Sequence, residues 1–174
     1  KKNQNLLAIF ILLMLVSCKQ KPMYSVSTID ISNFWKAYDE LKHDDYDATI
    51  IRKKYMDIGS AGLKKLFSLR KDISPYNYLD AIYSYPKFWK SIREETEKAD
   101  NLLPMIKKDY SLIKSIYPEF NYPDVCIEIS PMDCGGTVSE DKTTILIGAE
   151  IALANQNVDI SEIHNGLEKT LCRQ

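Results

Sequence analysis

The sequence predicts an α+β domain: a bundle of about five helices, then a small sheet made of a strand and a hairpin, then a C-terminal helix. Apolar residues recur at three- and four-residue spacing from Phe34 towards Tyr117. After Tyr117-Pro118 the spacing drops to two, with Val125, Ile127 and Ile129 alternating with Cys126 and Glu128. Gly135-Gly136 and Ser139-Glu140-Asp141-Lys142 then punctuate a hairpin. The 174 residues are 45% hydrophobic and 27% charged, which excludes wholesale disorder, collagen and coiled-coil rods. Lys and Arg number 23 against 24 Asp and Glu, without the basic excess that nucleic-acid binding requires. Four Cys and two His, widely scattered, make neither a disulfide scaffold nor a finger array.

The N-terminus reads as an export signal over residues 1–17. Lys1-Lys2 precede an apolar run at residues 6–16, and Ser17-Cys18 follow. That run is shorter than the ~20 residues a helix needs to cross a bilayer. Leu15-Val16-Ser17-Cys18 resembles the bacterial lipobox, which implies a diacylglyceryl group on the Cys18 sulfur and cleavage before it. Each buried CH₂ contributes about 0.8 kcal/mol, so two or more chains anchor a protein stably. Lys19 stands where many inner-membrane lipoproteins carry Asp, which favours the outer membrane. Residues 18–31, polar with Pro22, read as a tether, and residues 32–174 as one α+β domain.

Within that domain Ser32 is the expected cap of a helix bearing Phe34, Trp35, Tyr38 and Leu41 on one face. A second helix, residues 45–57, turns Ile50, Ile51, Tyr55 and Ile58 inward. Gly59-Ser60 breaks it, and Leu63, Leu66 and Phe67 mark a third. Ser74-Pro75 starts the fourth, because Pro at the first helical position loses no hydrogen bond. Tyr85-Pro86 ends it and opens a fifth, with Phe88, Trp89 and Ile92 inward. The longest element starts near Asn101, with Leu102, Ile106, Tyr110, Ile113 and Tyr117 as one stripe and Pro104 confined to its first turn. Residues 149–158 read as a loop with Glu150 near its start. Ser161 caps a last helix carrying Ile163, Leu167 and Leu171, with no stop signal before Gln174.

Chemistry-bearing patterns are sparse. His-Glu-x-x-His, Cys-x-x-Cys and His-x-His are absent, and neither His43 nor His164 has a second His or Cys three or four residues away. Asp44-Asp45-Tyr46-Asp47 lacks the Gly and terminal Glu of an EF-hand and reads as a helix N-terminus. Ser68-x-x-Lys71 and Ser111-x-x-Lys114 match a nucleophile pattern that also arises in any amphipathic helix, and their companion motifs are missing. Gly59-Ser60-Ala61-Gly62 has no preceding strand and reads as a tight interhelical turn. Cys126, Cys134 and Cys172 permit one disulfide or none.

Tyr55-Met-Asp-Ile-Gly-Ser-Ala-Gly-Leu63, Tyr85-Pro-Lys-Phe88, Tyr117-Pro118, Tyr122-Pro-Asp-Val125, Gly135-Gly-Thr-Val138 and Ile145-Leu-Ile-Gly-Ala-Glu150 occur in this order. Together they resemble a family of bacterial envelope lipoproteins described as predicted zinc-dependent proteases, related to the gliding-motility lipoproteins of Bacteroidetes. The resemblance covers roughly residues 34–171. It implies that the hairpin leads towards a helix bearing His-Glu-x-x-His, whose histidines bind Zn²⁺ and whose Glu activates water. No position of this sequence matches those ligands or that base, so no catalytic or metal residue carries over, and zinc is expected only with such a helix further downstream. The last helix, lacking a stop, agrees with a chain that continues. The resemblance also makes Gly136, Thr137 and Val138, or Thr144-Ile145-Leu146, an edge that pairs with an extended substrate; a plain core hairpin is the other reading. The expected partners are membrane lipid through Cys18 and a peptide or envelope protein, and no nucleic acid. The alternative function is a non-catalytic scaffold or docking lipoprotein serving motility or secretion.

Overall fold

The computed structural model describes residues 23–41 and 46–163. The expected signal peptide, Cys18, His43, Asp44, Asp45, His164, Leu167, Leu171 and Cys172 lie outside them. The architecture is α+β: helices fill most of the N-terminal part, and a four-stranded sheet takes one strand from before them and three from after.

The first strand lies inside the segment expected to be tether. β1 (Val26–Ser27) pairs in parallel with β2 (Asp124–Glu128), Val26 opposite Val125. The side chain of Asp124 locks this junction by accepting from Ser25 N (2.6 Å) and Ser25 Oγ (2.9 Å). Helix α1 (Ile29–Glu40) starts at once, from Thr28 rather than Ser32. Ser32 falls inside the first turn and donates back to Ile29 O at 3.0 Å. Strand pairing by the preceding residues fixes the start earlier than capping chemistry suggests.

Phe34 of α1 is the centre of the core. It meets Trp35, Tyr38, Tyr55, Tyr78 and Trp89 at ring separations of 5.0 to 6.2 Å. Such contacts contribute about 0.5–1.5 kcal/mol each beyond the area they bury. Tyr55 comes from an irregular element. Helix α2 (Ala48–Ile51), capped by Asp47 through Thr49 N, continues as a π-turn (Arg52–Met56) closed by Asp57 N donating to Arg52 O at 2.8 Å. The wide turn keeps Ile51 and Tyr55 inward but leaves Ile58 outside, 57% exposed, against the expectation of an inward residue.

Ser60 caps α3 (Ala61–Leu69), accepting from Leu63 N at 3.2 Å. α4 (Pro75–Ser84) has a capping box between Ser74 and Asn77, and α5 (Pro86–Glu97) begins with Pro86 as the sequence indicates. A 3₁₀ turn (Ala99–Leu102) leads to α6 (Leu103–Ile116), with Pro104 in its first turn. Of the expected stripe, only Tyr110 is buried; Ile113 and Tyr117 are exposed.

β2 is buried from Val125 to Glu128, so the expected alternation of inward and outward residues gives way to a central strand covered on both faces. Beyond β2 the chain runs out to the edge as β3 (Thr137–Val138), turns, and returns between β2 and β3 as β4 (Thr144–Gly148). Lys142 completes the turn with φ 57°, its N–H donating to Ser139 O at 2.8 Å. A short helix, α7 (Ala149–Ala152), replaces the loop expected there. Two glycines are sterically required. A Cβ on Gly62 would collide with Cys126 Cβ, and one on Gly148 would collide with Cys134 O. Gly62→Ala and Gly148→Ala should each cost about 1–3 kcal/mol by urea denaturation, the usual range for overpacking; an unchanged midpoint would refute these contacts.

Candidate functional site

The parallel pairing of β2 and β4 brings their C-terminal ends together, Glu128 opposite Gly148, with Glu150 two residues further on in α7. Both carboxylates are sealed from solvent, at 1% and 0% exposure. A third buried acid, Asp30 in the first turn of α1, faces the same strand.

The three acids differ in their partners. Glu150 accepts from Ser130 Oγ at 2.5 Å and Ser130 N at 3.1 Å. Asp30 accepts from Ser60 N at 2.9 Å and from Ser60 Oγ, with Cys126 Sγ at 3.5 Å. Glu128 Oε2 has no hydrogen-bond partner among the described residues. Burial, reinforced by the charges of Glu150 and Asp30, holds the Glu128 carboxyl well above the usual carboxylate range. Burial raises Glu150 to about 7, opposed by the two Ser130 donors. The proton therefore resides on Glu128 and the charge on Glu150, where donors meet it. Burial likewise pushes the Cys126 thiol to about 12, so it is no thiolate nucleophile.

Above this pair the strand ends in a tyrosine clamp. Tyr55 OH donates to Ile129 O at 2.6 Å and accepts from Ile129 N at 3.1 Å, while Tyr78 OH donates to the same carbonyl at 3.1 Å. Burial holds both phenols well above their ordinary value, so they stay protonated donors. The connection after Ile129 carries Met132 with φ 59°, a left-handed conformation costly for a non-glycine residue. It lines a cleft of about 320 Å³ with Pro131, Asp133, Asp72 and Tyr85. Asp133 is held there by Arg70, which also pairs with Asp72.

The residues singled out from sequence lie elsewhere. Gly136 is exposed, and Thr137 and Val138 form the edge strand β3. Thr144, Ile145 and Leu146 lie in β4, flanked by β2 and β3, so they offer no edge. Ser68 Oγ and Ser111 Oγ donate to the carbonyls of Lys64 and Lys107, and Lys114 Nζ donates to Phe120 O, as structural helix residues do. The Gly59–Gly62 turn uses its donors on Asp30. Cys126 and Cys134 are free thiols. Asp30, Glu128 and Glu150 carry no motif, yet Glu128 and Glu150 each interrupt an apolar run, and that signal was available in Val-Cys-Ile-Glu-Ile and Ile-Gly-Ala-Glu-Ile.

No family model, no curated protein and no solved structure matches this chain. Among the described residues no three His, Cys, Asp or Glu stand together as ligands for a metal ion. No hydrolytic step is assigned to them. No described helix is long and apolar enough to cross a membrane.

Because the folded-state pKa values of Glu128 and Glu150 lie above their unfolded values, the native chain binds protons more tightly, and stability is lost as pH rises through the folded values. For Glu150, raised from 4.5 to about 7, that loss falls between about pH 4.5 and pH 7. Glu128→Gln, which mimics the neutral acid, should flatten the pH profile measured by urea denaturation. A slope identical to that of the parent would contradict the assignment.

Proposed function

We propose that this chain is a lipid-anchored envelope protein that carries the N-terminal, non-hydrolytic part of a metallopeptidase-like fold and holds an extended peptide by adding it to β3. The leader of residues 1–17 and Cys18 support the anchor in the cell envelope, and Lys19 favours the outer membrane. The geometry of β3 supports the peptide.

Ser139 N donates to Thr144 O at 2.9 Å, and Thr137 lies opposite Leu146. In an antiparallel ladder hydrogen-bonded and non-hydrogen-bonded pairs alternate, so Val138, opposite Ile145, turns its own N–H and C=O away from β4. Nothing among the described residues pairs with that side, because β3 ends the sheet. Val138 is 49% exposed, and Gly136 on the near side of the strand is also exposed. A two-residue edge is short enough to escape casual aggregation. It still presents one complete donor–acceptor pair to an incoming strand.

The acids at the other end of the strands are sealed, so they shape the protein rather than meet a substrate. The reading as a scaffold or docking lipoprotein of motility or secretion shares this edge and differs only in the partner.

Val138→Pro removes the outward donor and leaves the β4 ladder intact. Selection of a displayed random peptide library should yield binders for the parent chain that the Val138→Pro chain loses at least about tenfold, the worth of one good hydrogen bond. Equal retention by both chains, or no enriched peptide, would remove the basis of this reading.

A further inference from the structure

Helix α6 is the least covered helix among the described residues. Of its 14 residues only Tyr110 is buried. Met105, Leu112 and Ile116 are exposed at 59%, 56% and 76%. At 100° per residue these three fall within about 40° of one another, an exposed apolar stripe interrupted by Asp109 between Met105 and Leu112, with Ile113 beside it. The helix also carries Lys107, Lys108 and Lys114 against a single acid, Asp109. Lys114 is occupied by Phe120 O, while Lys107 and Lys108 are exposed.

The start of the described chain lies against this helix. Tyr24 packs edge-on to Tyr110 at a ring separation of 4.7 Å and stacks on Tyr122 at 5.4 Å. Cys18 precedes Tyr24 by six residues, and a fully extended chain of that length spans about 20 Å. Helix α6 itself is about 21 Å long at 1.5 Å per residue. A lipid on Cys18 is thus confined to within one helix length of α6.

We propose that the outward face of α6 lies in the headgroup region of the membrane that holds the Cys18 lipid. The inference rests on Cys18 being the lipid anchor. The acyl chains supply the affinity; the stripe of Met105, Leu112 and Ile116 supplies the orientation, burying its apolar side chains in the interface while Asp109 within it and Lys108 beside it stay among the polar headgroups. The membrane side of the protein is then fixed.

The test uses full-length, lipidated chain in phosphatidylcholine–phosphatidylglycerol vesicles, with Ile116→Trp as the reporter. The native Trp35 and Trp89 are buried and provide a constant background. With brominated lipid the added emission should fall at least about twofold, as for a side chain at interfacial depth, while parent emission stays constant. Labelled palmitate on Cys18 is measured on the same sample. A labelled Cys18 with an unquenched reporter overturns the orientation of α6 and leaves the anchor standing. A reporter that is blue-shifted but unquenched puts protein on that face, a second copy or another segment, and also overturns it. An unlabelled Cys18 overturns the anchor, and the inference with it.

Discussion

Three hydrogen bonds at a single residue, Ile129, tie the helices to the sheet. Ile129 leaves β2 with no further strand partner, yet its N–H and C=O are buried. The hydroxyl of Tyr55 satisfies both, and that of Tyr78 adds a second donor to the carbonyl. A buried backbone donor without a partner costs about 1–3 kcal/mol, so the phenols replace a missing strand. They arrive from different helices, one of them through a π-turn. The same rings pack on Phe34, so the polar clamp and the aromatic core are one unit.

The clamp explains why acids are tolerated beneath it. With the strand end fixed, Glu128 and Glu150 are held buried, and burial together with the Glu150 charge raises the Glu128 carboxyl. Ser130 gives the charge to Glu150, and Glu128 keeps the proton. The left-handed Met132 follows three residues after the clamp begins, where the chain must turn sharply from the sheet's end towards the edge strand. Core, acids and edge are thus stages of one path from Tyr55 to Val138.

Much of this fold is legible in the sequence wherever local chemistry decides. Ser74-Pro75, Tyr85-Pro86 and Ser60 each end or start helices as their chemistry requires, and the hairpin follows from Ser139-Glu140-Asp141-Lys142. What local rules missed was decided by distant partners. Val26 and Ser27 look like tether because their strand character comes from β2, about a hundred residues away. Ile58 looks buried until a π-turn, invisible to a 3.6-residue period, shifts it out. The stripe of α6 satisfies the period of a buried helix, but periodicity records only that a face is apolar, not what covers it. Glu128 and Glu150 form no motif because their meeting depends on parallel register.

The clamp makes an asymmetric demand on its two tyrosines. Removing the Tyr78 hydroxyl leaves the Ile129 carbonyl still served by Tyr55, whereas removing the Tyr55 hydroxyl orphans the Ile129 N–H. The direct measurement is urea denaturation of Tyr55→Phe beside Tyr78→Phe. The expected costs are about 2–3 kcal/mol for Tyr55→Phe and about 1 kcal/mol or less for Tyr78→Phe. Equal costs, or the reverse order, would contradict the account.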